Sequence, residues 1–226
     1  MCPFCYIGKR KFEKGLNEFT HKDNVEVVWK SFQLDPTLKT DPNTSINSML
    51  AEKKGWTLER AKEMNDYVTN LAKQVGLTYN FDKAIVANSF DAHRFSHLAH
   101  KHDIQDKAEE ALFSAYFTEG KNTADHNTLI ELGKNIGLDS KQVEKMLSSE
   151  DYSEEVQKDI HEAQQIGVSG VPFFVINRKY AISGAQESAT FLQALNKAWT
   201  EFESENISIS NNGNSGASCT ADSCNS

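Results

Sequence analysis

Apolar residues recur along most of this chain at helical spacing. Phe12, Leu16 and Phe19, with Gly8 one step earlier, fall on one face of a helix predicted over residues 6–21. Val25, Val27, Val28, Trp29 and Phe32 crowd β-branched and aromatic side chains into a short span, which predicts a buried strand over 25–33 that ends before Asp35-Pro36. From about Thr44 to Gly167 the pattern is helical. Leu58, Ala61, Met64, Val68, Leu71 and Val75 step by three and four until Gly76 stops the run. Further helices are predicted near 89–102, 105–118, 125–136, 139–148 and 152–166, the last with a stripe of Tyr152, Val156, Ile160 and Ala163 closed by Gly167. Residues 171–176 then read as a strand, 177–179 as a turn and 180–182 as its hairpin partner. A final helix over 187–202 carries Phe191, Leu192, Leu195 and Trp199, and beyond Ser204 the Ser, Asn and Gly content predicts a mobile tail.

With 226 residues the chain can bury a core without disulfide staples. The 4 cysteines are nevertheless grouped as Cys2 with Cys5 and Cys219 with Cys224, one pair at each end, which points to redox chemistry or metal binding. A net charge of -8 and no Lys/Arg cluster argue against nucleic acid as a partner. No apolar run is long enough to span a bilayer and no signal-like start is present, so the chain reads as cytoplasmic, with no membrane partner.

Disulfide exchange needs an attacking thiolate and a second thiol that can displace the substrate from the mixed disulfide. Cys2 and Cys5, separated by Pro3 and Phe4 where the first helix begins, meet that geometry. Unpaired N–H groups and the positive end of a helix dipole lower the first thiol below its free pKa of roughly 8.5. Cys2 is therefore the expected nucleophile and Cys5 the resolver. Pro3 suits a helix's first turn, where its missing N–H is no loss. A C-x-x-C pair alone could equally be half of a zinc site. Val171-Pro172, heading a strand in a chain whose outer elements are helix, strand, hairpin and helix, favours the redox reading, although proline is tolerated at a strand's first residue in any case.

Four stretches carry a more specific signal: CPFCYIGKRKFE at 2–13, NSFDAHRFSHLAH at 88–100, YFTEGKNTADHNTLIELGKNIGLD at 116–139 and GVSGVPFFVINRKYAISGAQ at 167–186. Together they resemble the FrnE-like branch of the DsbA family of thioredoxin-fold oxidoreductases, over nearly the whole chain up to about Phe202. The resemblance implies an α/β fold with a thioredoxin-like core in two parts, 1–43 and 168–203, interrupted by a helical insertion at 44–167 and followed by a tail at 204–226. It implies a cis Val171-Pro172 bond against the dithiol, with Val171 aligning an extended substrate strand across Cys2. It also implies a thiol–disulfide oxidoreductase that needs no cofactor and acts on protein or small-molecule thiols and disulfides, with glutathione or a thioredoxin-type reductant as candidate redox partners.

Two features depart from that pattern. The family carries a central β-strand before the C-x-x-C motif, and here only Met1 precedes Cys2, so the expectation is a truncated or mis-started chain in which strands 25–33 and 173–176 lack the partner between them. The second departure is Cys219 and Cys224, an auxiliary pair that a flexible tail could bring to Cys2 and Cys5 as a relay, or that could be an idle disulfide or two free thiols.

Among the remaining residues, Phe4 and Tyr6 flank the dithiol and could form an apolar rim for substrate, while Tyr6 could equally begin helix packing. Lys9-Arg10-Lys11 reads as a solvated helix face, the tryptophans as core or partly buried packing, and His93, His97 and His100 as solvated or boundary histidines rather than metal ligands. Arg94 and Asp91 are expected to hold the helical block to the core. Two other functions stay open: a glutathione-conjugate transferase or isomerase of the same fold group, whose members usually carry serine where Cys2 stands, and a non-enzymatic site in which all four cysteines bind zinc.

Overall fold

Pro3, placed at the first helical position, opens helix α1 (Pro3–Glu18) directly after Cys2. In the computed structural model the backbone is described for residues 1–212 and side chains through 205, so the predicted tail pair, Cys219 and Cys224, lies outside the described residues. A 3-10 turn (Lys22–Asn24), strand β1 (Asp41–Ser45), helix α2 (Ile46–Lys54) and helix α3 (Leu58–Gln74) follow. Ser45 and Thr57 cap α2 and α3 by accepting from the N–H groups of Ser48 and Arg60. The α3 run ends, as its spacing predicts, at Gly76, whose φ of +78° is a conformation glycine adopts without strain.

Strand β2 (Ile85–Val86) pairs antiparallel with β1. Helices α4 (Phe90–His100), α5 (Gln105–Phe113) with a π-helical turn (Ser114–Glu119), α6 (His126–Ile136), α7 (Ser140–Leu147) and α8 (Ser153–Gln165) fill the stretch in which five helices are predicted. The hairpin of β3 (Phe173–Ile176) and β4 (Tyr180–Ser183) pairs Phe173 with Ser183 and Ile176 with Tyr180, and α9 (Ser188–Asn212) closes the order.

Two apolar clusters hold these elements. One joins Tyr6 and Ile7 of α1 to Val68 and Ala72 of α3 and to Phe113, Tyr116 and Phe117. The other lies within α4–α7 around Phe95, Leu112, Leu129 and Val143. Helix α1 meets α9 closely because Gly15 has no side chain: a Cβ there would lie 2.6 Å from the Ser188 carbonyl oxygen and 3.1 Å from Phe191 Cβ.

The predicted strand at 25–33 does not form. Residues 25–34 belong to no ladder, and Val27 and Val28 are exposed rather than buried. A strand exists only through the neighbours that take its N–H and C=O groups, and no strand among the described residues lies alongside this one. Side chains supply part of the pairing instead. Gln105 bonds both backbone groups of Trp29, at 3.0 and 3.1 Å, and Asp159 accepts from the Ser31 N–H at 2.9 Å.

The basic run of α1 also departs from expectation. Lys9 is 3% exposed, not solvated, and sits among Glu13, Asp106 at 3.1 Å and Glu110 Oε2 at 3.2 Å, the last an ion pair outside hydrogen-bond geometry. Arg10 pairs with Glu13 at 2.9 Å and with Glu110, while Lys11 reaches Glu187 at 2.5 Å. A buried ammonium persists only where carboxylates compensate its lost hydration, and here they fasten α1 to α5. Trp56 lies at the surface, whereas Trp29 and Trp199 are partly buried. Among the described residues no helix is long and apolar enough to cross a membrane.

Candidate active site

Cys2 is the N-cap of α1, with extended backbone (φ -99°, ψ 118°) and no side-chain cap. Its sulfur stands at the helix N-terminus, where the N–H groups of Phe4 and Cys5 favour its charged form. Cys2 and Cys5 are both free thiols, partly buried, with the Cys5 N–H bonded to the Cys2 carbonyl at 3.2 Å. The Cys2 thiol is lowered from 9.0 to about 7. Its largest cause is the hydrogen bond donated by the Cys5 thiol; burial opposes it, and the N–H groups of Cys5 and Phe4 add to it. The Cys5 thiol is raised, first because it donates to Cys2, then by burial and by the negative charges of Cys2 and Glu109. One thiol is set to ionise while its neighbour holds the proton.

Facing this pair is Val171-Pro172, joined by a cis peptide bond. The Cys2 sulfur lies 3.4 Å from the Val171 carbonyl oxygen. What lets the loop come so near is Gly8, where a Cβ would stand 3.1 Å from Pro172 Cγ and 3.4 Å from Phe174 Cζ. Gly8→Val is expected to push the Pro172 loop off α1, destabilising the protein by about 1–3 kcal/mol through overpacking and lowering exchange roughly ten- to a hundredfold through misplacement. Steady-state kinetics and a melting curve of the same sample check both.

Phe4 is exposed beside the dithiol, and the Tyr79 hydroxyl donates to the Pro3 carbonyl at 2.7 Å, pinning the motif from behind. Tyr6 is turned the other way, a correction to its reading as part of a substrate rim. It is 4% exposed, stacked on Phe113 at 5.0 Å, and its hydroxyl donates to Glu110 at 2.5 Å. One turn along α1 places it against α5, where burying the ring and satisfying the hydroxyl outweigh exposure at the surface.

Glu109 escaped the sequence reading. It borders the same cavity as Cys2 and Cys5, accepts a hydrogen bond from Ser96 at 2.5 Å, and is pushed up to about 7, chiefly by burial. The signal was available: Glu109 lies on the helix face shared by Ala108, Leu112 and Phe113, where a carboxylate is out of place. Of the histidines, His93 is half-buried and lowered to about 4, chiefly by desolvation, while His97 sits 3.2 Å from Asp159 and 3.1 Å from the Ser31 hydroxyl. Among the described residues no group of side chains is arranged to hold a metal ion.

A helix-capping dithiol opposite a cis-proline, carried on a hairpin-and-helix frame with a helical block between, defines the chain as a thioredoxin-fold protein with a helical insertion. Residues 1–196 match the DSBA-like thioredoxin domain, and the chain belongs to that family. Among solved structures it is similar to a probable DsbA oxidoreductase from Streptomyces coelicolor, with 38% identity and a TM-score of 0.83 over 88% of this chain and 86% of the other. It also resembles a 2-hydroxychromene-2-carboxylate isomerase in fold, at 16% identity and a TM-score of 0.59 over 92% of this chain and 94% of the other. No curated protein matches it.

Proposed function

We propose that this protein is a thiol–disulfide oxidoreductase in which Cys2 exchanges with substrate and Cys5 resolves. The observation that carries the reading is the pairing of a lowered thiol at the α1 N-terminus with a hydrogen-bonded second thiol behind it. In the reducing direction the Cys2 thiolate attacks a substrate disulfide, forms a mixed disulfide and releases one substrate thiolate, which takes up a proton. Cys5 loses its proton and attacks the Cys2 sulfur, forming the Cys2–Cys5 disulfide and releasing the second substrate thiolate. Two electrons pass to substrate, and oxidation runs the same steps backwards. Val171, Pro172 and exposed Phe4 form the substrate-binding edge, with the Val171 backbone aligning an extended substrate beside Cys2. The core is assigned to 1–43 and 168–203 and the helical insertion to 44–167.

Thiol trapping during turnover of a model disulfide tests the assignment. A stable mixed disulfide is expected to accumulate in Cys5→Ser and to be absent in Cys2→Ser; full exchange by Cys2→Ser would remove Cys2 from the role. We further propose that Cys219 and Cys224 act as a relay with the active pair. Peptide mapping under graded oxidation is expected to capture a disulfide between the two motifs, and its absence would end that proposal.

A further inference from the structure

The lining of the active site continues from the dithiol into the first helices after α1. Cys2 and Pro3 share one cavity with Leu38, Ile46, Met49, Leu50, Phe81 and Val86. Phe81 links the two: its ring stands edge-on to that of Tyr79 at 5.6 Å, and the Tyr79 hydroxyl is the one bonded to the Pro3 carbonyl. None of the six apolar residues belongs to the segment 25–34 or to the β3–β4 hairpin.

A short stretch of sequence builds this end of the cavity. Pairing of Asp41 with Val86 and of Ser45 with Ile85 brings the buried side chains of Ile46 and Val86 into one place. Ser45 caps α2 and Ile46 opens it, so Met49 and Leu50, three and four residues on, share the face of Ile46. Leu38 is fixed by Asn88, whose side chain donates to the Leu38 carbonyl at 2.8 Å and whose N–H donates to the Thr40 hydroxyl at 3.0 Å. The Lys53–Asp35 pair ties the turn before Leu38 to α2.

The chemistry of the lining selects its occupant. Leu38, Met49, Leu50 and Phe81 are only partly buried and offer apolar surface. The polar side chains beside them are already engaged or turned to solvent: Asn65 donates to Asn47 at 2.7 Å, Lys53 pairs with Asp35, and Lys54 is exposed. A polar group entering among the apolar four would lose its water without gaining a bond. An apolar side chain would gain by burial, and the flexible thioether of Met49 can fit more than one shape.

We infer that this end of the cavity is a specificity pocket for a polypeptide substrate, receiving an apolar side chain two residues from the cysteine that reacts with Cys2. The inference rests on the roles proposed above for Cys2 and for the Val171 edge. A substrate extended along that edge turns alternate side chains to the same face, about 6–7 Å apart. The reacting cysteine and the residue two positions away therefore face the protein together, while the residue between them faces out.

The test compares reduction of two disulfide-linked peptide dimers by the reduced full chain. Both peptides have seven residues, a central cysteine, two leucines and otherwise serine, so their composition is identical. In one the leucines stand two positions either side of cysteine, and in the other they adjoin it. The first is expected to have the higher kcat/KM by roughly tenfold or more, the scale of burying one leucine side chain. Met49→Lys should abolish that preference and leave reduction of hydroxyethyl disulfide, too small to reach the pocket, unchanged; Met49→Leu should keep both. Leu38→Ser, in a loop, should act as Met49→Lys does and decides the matter if a charge on α2 impairs folding. Equal rates for the two peptides, with hydroxyethyl disulfide still reduced, would overturn the pocket and leave the role of Cys2 standing, as would a preference that survives these variants. Failure with all three disulfides would overturn the oxidoreductase reading and the pocket with it.

Discussion

Replacing Cys2 by serine is expected to lower the rate of exchange with a model disulfide by roughly a thousandfold or more, because the reacting species is a thiolate and a serine hydroxyl supplies no comparable anion near neutral pH. The wild-type rate should rise about tenfold per pH unit up to about pH 7 and then level, following the lowered Cys2 thiol. At pH 7 about half of Cys2 is thiolate, against about one part in a hundred for a thiol at 9.0. Nucleophilicity falls as pKa falls, with a Brønsted slope of about 0.4–0.5. Two units therefore take back roughly six- to tenfold, and the net advantage over a free cysteine is only about five- to eightfold.

The same shift makes the stability of the reduced protein pH-dependent. The folded pKa of Cys2 lies below its unfolded value, so the stabilisation is present above about pH 9 and lost as pH falls through about 7. Cys5 is shifted the other way, so above about pH 9 the unfolded chain ionises it while the folded protein resists, and stability declines again. Urea titrations of reduced protein should show stability rising from about pH 7 to a maximum near pH 9 and falling above it. The oxidised protein, which lacks both ionisations, should lack it; a maximum of the same size there would show that other groups cause it.

Helices were legible because one face of each is buried and the 3.6-residue repeat records that face locally. α3, α6, α7 and α8 lie within a residue or two of where spacing puts them. Residues 25–33 were misread for the opposite reason. Their composition states a preference for strand, but a strand depends on a neighbour that no local pattern supplies. The short pair of β1 and β2 passed unnoticed because Asp41–Ser45 is polar and Ile85–Val86 too brief to show a period.

The candidate site divides in the same way. Cys2, Pro3 and Cys5 are neighbours in sequence, and their chemistry follows from the helix they begin. The burial of Lys9 and Tyr6 could not be read from α1 alone. It depends on Asp106 and Glu110, about a hundred residues away, arriving on α5. A basic run next to a reactive thiol looks solvated until its carboxylate partners are known.

Arg94→Ala is expected to cost about 3–5 kcal/mol, the range for breaking a buried, fully bonded charge, and so a large part of the roughly 5–15 kcal/mol that holds a typical domain together. Arg94 is 4% exposed on α4. Its guanidinium donates to the Asp151 carbonyl at 2.8 Å and to the carbonyls of Met146 and Ser149, and pairs with Asp91 at 2.8 Å. These carbonyls end α7 and lead into α8; Met146 also accepts from the Ser149 N–H at 3.3 Å and hydroxyl at 3.2 Å, whereas no helical N–H reaches the carbonyls of Ser149 and Asp151. Removing the guanidinium strands the Ser149 and Asp151 carbonyls, each worth about 1–3 kcal/mol if it stays dry, while Met146 keeps its bonds from Ser149. Arg94→Lys should recover little, because a single ammonium cannot reproduce the planar fork that spans all three. Arg60→Ala provides the contrast: both members of the Arg60–Glu63 pair are exposed, so the change should lie within about 1 kcal/mol. Urea midpoints of the three variants at constant slope decide the matter, and a loss in Arg94→Ala no greater than in Arg60→Ala would mean that water replaces the guanidinium at the α7–α8 turn.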